Sequence, residues 1–199
     1  MPARLPLQAK SPFHLNPKPL EEMSSSRAGL LAASRTLRSL RVPVAAELNL
    51  QFKARQRGFT EGQAVESLLL LQIAGGDCPE DLVLLEGDAC LERGLGYAVP
   101  KARTARDFLE RFHDESLEAL RPAREEQKSF ILPRSPGVVR LQEVQVGLVR
   151  NVAQQYVQAG ETLKIATVDQ DATIIESHKR KALAHYEGGR GYQPMVAVW

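Results

Sequence analysis

The chain of 199 residues has little cysteine and no long apolar run. Cys78 and Cys90 are its only cysteines, and their spacing matches no metal-binding pattern, which argues against a disulfide scaffold or a zinc module. The leucine run at 68–71 is far too short to cross a bilayer. The first residues after Met1 lack the continuous apolar core of a signal peptide. We therefore expect a cytoplasmic protein with reduced thiols and no membrane partner.

What the sequence does contain is charge, and it is distributed unevenly. Residues 1–57 hold ten basic against three acidic residues, a net charge of +7. Residues 58–126 hold seven against fifteen, a net charge of −8, and residues 127–199 hold nine against six, a net charge of +3. A basic block at the N-terminus is typical of a phosphate-binding surface, although a solvated helix face has the same composition.

The basic block contains an irregular arm followed by two helices. Five prolines in residues 1–23 predict an arm without regular structure. Serines 24–26 are candidate N-caps for a helix whose apolar stripe runs from Leu30 to Leu40, and Pro43 suits the first turn of a second helix that ends near Phe52. The candidate DNA-binding cations of this block are Arg35, Arg38, Arg41, Lys53, Arg55 and Arg57.

Further helices are predicted downstream. The pair Thr60 and Gln63 forms a capping-box pattern before an apolar face of Val65, Leu68, Leu69 and Ile73. Helical patterns follow at residues 104–112, 115–128 and 138–159. Short capped helices of this kind suit either a helix-turn-helix module or any small α-domain. We expect residues 24–134 to form a helical, DNA-binding region.

A buried strand is predicted at Leu163–Val168, and two carboxylates follow it. Asp169 and Asp171 are two residues apart, so on a continuing strand both side chains point to the same face. A divalent cation would compensate two like charges held together, and a plain Asp-rich turn is the alternative. Residues 187–191 then predict a hairpin turn between two short strands.

This region resembles the DDE transposases of bacterial insertion sequences. The matching residues are Val168-Asp-Gln-Asp-Ala-Thr173 and Tyr186-Glu-Gly-Gly-Arg-Gly-Tyr-Gln-Pro194. In that family the first catalytic Asp stands in an Asp-x-Thr context, and a Gly-Tyr-x-Pro segment opens a neighbouring strand. The resemblance extends upstream through Gly58-Phe-Thr60 and Gly75-Gly-Asp77 and weakens before Leu30.

The resemblance implies a fold, a chemistry and a set of residues. The fold is α+β, a mainly helical N-terminal region followed, over residues 135–199, by the first strands of an RNase H-like core. The chemistry is DNA cleavage and strand transfer with Mg²⁺ or Mn²⁺ ions. Asp171 is then the catalytic carboxylate and metal ligand, with Asp169 as a second metal candidate. Lys179, Arg180 and Lys181 are further DNA-binding candidates, whereas His178 and His185 are expected to be structural.

The resemblance also implies partners and a place in the cell. DNA, namely the terminal repeats of the element and its target, is the expected partner, and the complete enzyme is expected to form a homodimer at the nucleoid. The family's second Asp and its Glu come farther along than Trp199, so we expect an N-terminal fragment that is inactive by itself. A non-catalytic DNA-binding regulator is the alternative, and a helical interaction domain without a nucleic-acid role is a third.

Overall fold

The computed structural model describes residues 25–52, 57–120, 122, 133–161, 168–178, 182–185, 187–192 and 195–198. These residues belong to two compact units. The first lies within Met1–His113 and Ser135–Glu161, and the second within Asp114–Arg134 and Thr162–Trp199. The division between these units differs from the predicted boundary at residue 135.

The first unit is helical. Its α-helices are α1 (Gly29–Ser39), α2 (Val42–Leu50), α3 (Glu61–Ile73), α4 (Ala89–Leu95) and α5 (Ala102–Leu109), and short 3₁₀ helices cover Pro79–Leu84 and Glu110–Phe112. The second unit contains α6 (Glu115–Glu118), and the long helix α7 (Pro136–Gln158) returns to the first. The predicted extension of α6 to residue 128 lies largely outside the described residues.

Local sequence signals set most of the helix starts. The Thr60 hydroxyl accepts the Gln63 backbone N–H while the Gln63 side chain accepts the Thr60 N–H, so the predicted capping box of α3 is confirmed. Pro43 lies in the first turn of α2, also as predicted. The predicted serine cap of α1 is wrong: α1 starts after Ala28 without a side-chain cap, and the Ser25 hydroxyl donates instead to Asp88.

Two apolar clusters hold the helical unit together. The first gathers leucines of α1, α3, α4 and the first 3₁₀ helix, with Leu70, Leu82 and Leu91 almost wholly buried. The second joins α2, α3, α5 and α7 around Leu50, Phe108 and Val144. Three phenylalanines, Phe52, Phe108 and Phe112, meet edge to face at the second cluster, with ring centroids 4.8–6.0 Å apart. The buried apolar area of these clusters is the main stabilising contribution to the unit.

Helix α7 packs on α2, which corrects the predicted domain boundary. The resemblance assigns residues 135–199, which include this helix, to the start of the RNase H-like core. The inner face of α7 contacts α2 through Val144 and Leu141. A Cβ atom added to Gly147 would lie 3.8 Å from the Cβ atom of Ala45, so the two helices are close at this point. The helical unit therefore continues to Glu161.

The second unit contributes short antiparallel strands. Strand β1 (Asp169–Ala172) pairs with β5 (Met195–Val198), and β4 (Arg190–Tyr192) lies between β2 (Ile175–Glu176) and β3 (Leu183–Ala184). Of the predicted buried strand at 163–168, residues 163–167 lie outside the described residues. Val168, the described residue, is exposed and precedes β1, so the prediction of a buried strand is wrong there. Helices with short strands make the fold α+β, as predicted at that level. In the described part of the chain, no helix combines the length and apolarity needed to cross a membrane.

Candidate nucleic-acid interface

The two candidate metal-binding aspartates lie on β1. Asp169 is in register with Val198 of β5, and Asp171 with Val196. Both aspartates are exposed, and their spacing of two places them on one face of the strand. Strand β5 begins directly after Gly191-Tyr-Gln-Pro194. The structure thus pairs the aspartate-bearing strand with the strand that follows the Gly-Tyr-x-Pro segment.

These carboxylates do not by themselves fit a two-ion centre. Mg²⁺ binds through one or two carboxylates together with water or phosphate oxygens, so Asp169 and Asp171 suit one ion at most. A pair of ions needs further ligands. Within the described ranges, no group of three or more His, Cys, Asp or Glu side chains gathers at a common point. Asp169 and Asp171 are therefore at most part of a ligand set for two-ion chemistry.

The predicted hairpin follows in the second unit. Strands β3 and β4 pair antiparallel, and the turn closes with the His185 N–H donating to the Gly189 carbonyl at 3.1 Å. Gly188 has a φ of +91°, a conformation that favours glycine. Gly191 faces the backbone carbonyl of Ile175 so closely that a Cβ there would collide with it. The candidate cations Lys179, Arg180 and Lys181 lie outside the described residues.

His185 is buried against this turn. A Cβ at Gly189 would lie 2.5 Å from its Nε2 atom, so the glycine makes room for the ring. Neither ring nitrogen has a hydrogen-bond partner among the described residues. His178, in contrast, is exposed. Neither histidine joins a group of metal-ligating side chains in the described part of the chain.

The candidate cations of the N-terminal block have different environments. Arg35 on α1 and Arg41 just before α2 are exposed, and so is Arg57. Arg35 and Arg57 also interact within the chain. Lys53 and Arg55 lie outside the described residues. Counting Arg38, four of the six candidates are therefore described, each with a side chain that reaches solvent.

The Arg38 side chain, in contrast, is hydrogen-bonded to other groups of the helical unit. Its Nε donates to Glu66 Oε1 at 2.8 Å and its Nη2 to Glu66 Oε2 at 3.0 Å, a bidentate pair. Nη2 also donates to the Leu95 carbonyl at 2.7 Å. The hydrogen bond to Glu66 raises the pKa of Arg38 above its ordinary value, against the opposing effect of burial. Arg38 thus ties α1 to α3 and to the end of α4.

Glu66 is the centre of a buried polar network. Only 2% of its side chain is exposed, and besides Arg38 it accepts hydrogen bonds from the Ser34 hydroxyl at 2.7 Å and the Tyr97 hydroxyl at 3.1 Å. Burial raises the pKa of Tyr97 well above its ordinary value; the hydrogen bond with Ser67 lowers it, and the charge of Glu66 raises it. Because every carboxylate oxygen has a partner, the network is structural rather than reactive.

A pocket of about 310 Å³ opens between the start of α3 and α5. Apolar groups form its walls: Phe59, Ala64, Pro100, Ala105 and Phe108. Polar side chains surround its mouth: Arg57, Thr60, Thr104, Asp107 and Arg111. One sequence-predicted cation, Arg57, therefore lines the same pocket as Arg111, which the sequence did not single out.

A helical spacing could have identified the missed residues. Thr104, Asp107 and Arg111 follow one another at i, i+3 and i+7, a helical spacing, with the first two on α5 and Arg111 in the 3₁₀ helix that follows it. Their neighbours Ala105 and Phe108 are buried, so the polar face is the solvent side of α5. The spacing could not indicate that Arg57, some fifty residues earlier in the chain, lines the same pocket.

Comparison with known proteins identified no relative of this chain. No protein-family model matches the chain, and neither the curated proteins nor the solved structures contain a match. The function is therefore argued from the residues and the geometry.

Proposed function

We propose that the chain acts in DNA transposition, as part of a DDE transposase of an insertion sequence. The helical unit binds DNA, and β1 carries the first catalytic carboxylate of an RNase H-like domain. The partners are the element's terminal repeats and its target DNA, the complete enzyme is a homodimer, and it works at the nucleoid.

The observation that carries the proposal is the pairing of β1 with β5. The resemblance predicts that the strand with the Asp-x-Thr aspartate lies beside the strand after Gly-Tyr-x-Pro. Asp171 is exposed on β1, and β5, which follows Pro194, is the hydrogen-bonded neighbour of β1. The strand pairing and the exposure of Asp171 are separate from the sequence motif, so both support the proposal.

Asp171 is the residue we assign to the catalytic site. It stands two residues before Thr173, and its strand position fixes the carboxylate in space. Asp171, with Asp169 beside it on an exposed strand, would supply part of the ligand set for Mg²⁺ or Mn²⁺, the ions that serve phosphodiester cleavage in this proposal.

A second function is favoured by one observation. The described residues bring together at most two carboxylates, on β1, whereas the helical unit offers exposed arginines. A protein of this composition that binds element ends without cutting them would compete with the active transposase. The regulator and the transposase share DNA binding and differ only in cleavage.

A DNA-binding measurement tests the shared claim. Fluorescence anisotropy with labelled duplexes of the element's terminal repeats, at low salt, is expected to show binding that exceeds binding to a scrambled duplex of equal length. Low salt is the most sensitive condition because phosphate contacts are strongest there. Absence of binding to either duplex at low salt would overturn the proposal. Mg²⁺-dependent nicking, measured in parallel, would favour the enzyme over the regulator.

A further inference from the structure

Helix α7 carries apolar side chains on its solvent side as well as on the side that packs against α2. Val139, Val146 and Val149 are 40–47% exposed, whereas Val144 on the inner side is buried in the second apolar cluster. The solvent side of a surface helix is ordinarily polar. The exposed side of α7, which we call the valine face (Val139, Val146, Val149 and Ala153), therefore indicates a surface that binds a partner.

The valine face has the spacing of a coiled-coil seam. Its residues and their neighbours recur at alternating intervals of three and four residues: Val139, Gln142, Val146, Val149, Ala153 and Tyr156. These are the a and d positions of a heptad pattern, and the 23 residues of α7 are long enough for about three repeats of it. A seam of this kind packs against a second helix that has the same spacing.

Two charged residues beside the seam indicate which helix complements it. Glu143 and Arg150 are exposed, and neither takes part in a salt bridge within the described ranges. Each directly follows a d position, so both lie on the same side of the seam, one heptad apart. If two copies of α7 pack antiparallel with Val146 of one copy beside Val149 of the other, Glu143 of each copy faces Arg150 of the other. A parallel pair would place both charges beside uncharged residues.

The same antiparallel register matches side-chain sizes along the seam. The facing residues are Val146 with Val149 at the centre, then Gln142 with Ala153, then Val139 with Tyr156. In the outer layers a larger side chain meets a smaller one, which allows close packing at one helix separation. Every layer occurs twice, once on each side of a two-fold axis, as in an interface that uses the same patch on both copies. The valine face is thus complementary to itself in charge and in shape.

We propose that the valine face binds a second copy of this chain, with the two α7 helices antiparallel and two Glu143–Arg150 ion pairs across the interface. The valines supply the affinity, and the exposed ion pairs supply the orientation, since such pairs contribute little free energy but disfavour wrong registers. A single helix pair is small for a specific interface, so we expect a dissociation constant in the micromolar range. The homodimer of the proposed function has no assigned interface; the valine face supplies one and requires no DNA.

Sedimentation velocity on the full chain, without DNA, measures the association. The wild type is expected to pass from monomer to dimer between about 1 µM and about 200 µM. Val146→Glu places a carboxylate in each central layer and should lower the association constant about tenfold or more, with unchanged circular dichroism because Val146 is exposed in the monomer.

The matched control is Val83→Glu, the same change at a valine that is 65% exposed and lies outside α7. It should dimerise like the wild type. A wild type that stays monomeric at about 200 µM would overturn the proposal, whether another segment of the chain or another protein covers the valine face. An equal loss of association for Val83→Glu and Val146→Glu would overturn it as well.

A charge exchange tests the antiparallel register. Glu143→Arg makes two arginines face each other across the interface, and Arg150→Glu makes two glutamates do so, each time at two places. Each variant alone should therefore dimerise about tenfold more weakly than the wild type. An equimolar mixture of the two variants brings opposite charges together again and should associate about as tightly as the wild type.

The control pair is Arg103→Glu and Glu110→Arg. These residues are also one heptad apart and exposed, on α5 and in the 3₁₀ helix after it. Both control variants should dimerise like the wild type, alone and mixed. Association that does not recover in the mixture of Glu143→Arg and Arg150→Glu would overturn the proposal.

Dimerisation and DNA binding are measured separately, so either can fail without the other. The arginines assigned to DNA lie outside α7, and each copy contributes its own. Arg150→Glu should therefore weaken the dimer and leave the DNA binding of each copy in place. Dimerisation without DNA binding supports the valine-face interface and refutes the proposed function. DNA binding by a chain that stays monomeric supports the function and refutes the interface.

Discussion

The pair formed by Glu66 and Arg38 shows how far the burial and the role of single side chains could be predicted from the sequence. The sequence predicts Val65, Leu68, Leu69 and Ile73 as the apolar face of α3. The structure instead leaves Ile73 57% exposed and buries Glu66. Charged residues are almost never fully buried unless paired, and the partner that allows it, Arg38, is 28 positions away in the chain. No local pattern indicates such a pair, which is also why Arg38 looked like a DNA contact.

Removing Arg38 is expected to destabilise the helical unit. Arg38→Ala leaves the Glu66 carboxylate buried without its counter-charge, and we expect a loss of about 2–3 kcal/mol, below the full cost of breaking a buried pair because Arg38 is partly exposed. The measurement is the urea midpoint of the helical circular-dichroism signal. The control is Arg93→Ala, an exposed arginine on α4.

The double variant distinguishes a charge effect from a packing effect. Glu66→Gln combined with Arg38→Ala replaces the buried carboxylate by a neutral amide, so part of the lost stability should return. A double variant less stable than Arg38→Ala alone would show that Arg38 acts through packing and not through its charge.

The raised pKa of Tyr97 predicts that the folded protein loses stability in alkaline solution. Its pKa in the folded protein lies above the ordinary value, about 10, so the unfolded chain releases the phenolic proton first. The stabilisation by neutral Tyr97 is therefore complete below about pH 10 and decreases above it. Urea midpoints at about pH 8 and about pH 11 should fall further for the wild type than for Tyr97→Phe. An identical fall in both would show that Tyr97 does not cause the alkaline loss.

At the scale of elements, α7 holds the ends of α1 and α2. Asn151 Nδ2 donates to the Leu40 carbonyl at 2.9 Å, and Arg140 Nη1 donates to the Leu50 carbonyl at 2.8 Å, the last residue of α2. Carbonyls at helix C-termini have no intrahelical partner, so α7 supplies one. The sequence predicted the length of α7 well, from its periodicity and from Gly160. It could not predict which surface α7 covers, because the same stripe would pack on a sheet or on a helix.

Asn151→Ala tests this role of α7. The Leu40 carbonyl loses its donor at a partly buried site, and we expect a loss of about 1 kcal/mol in the free energy of unfolding. Gln154→Ala, exposed on the same helix, is the matched control and should be close to neutral. Equal urea midpoints for the two variants would mean that the hydrogen bond contributes nothing measurable.

At the scale of the whole molecule, the sequence predicted the two kinds of structure but not where they divide. Pro, Gly and capping residues mark where elements begin and end, and these signals are local. The division depends on α7 packing against α2, across about ninety residues of chain, which a single sequence does not encode in any local pattern. The candidate carboxylates lie on a strand, which is one of the two alternatives, a continuing strand or an Asp-rich turn, that the local Asp-x-Asp spacing left open.

The central claim, that the helical unit binds DNA through its arginines, is tested most directly by the salt dependence of binding. The slope of log K against log salt is about −0.9 for each phosphate contact. The triple variant Arg35→Glu, Arg41→Glu and Arg57→Glu should therefore flatten the slope by about 2.7. A second triple variant, Arg93→Glu, Arg103→Glu and Arg150→Glu, changes the net charge equally at exposed sites and should leave the slope close to that of the wild type. Equal slopes for the first triple variant and the wild type would contradict the claim.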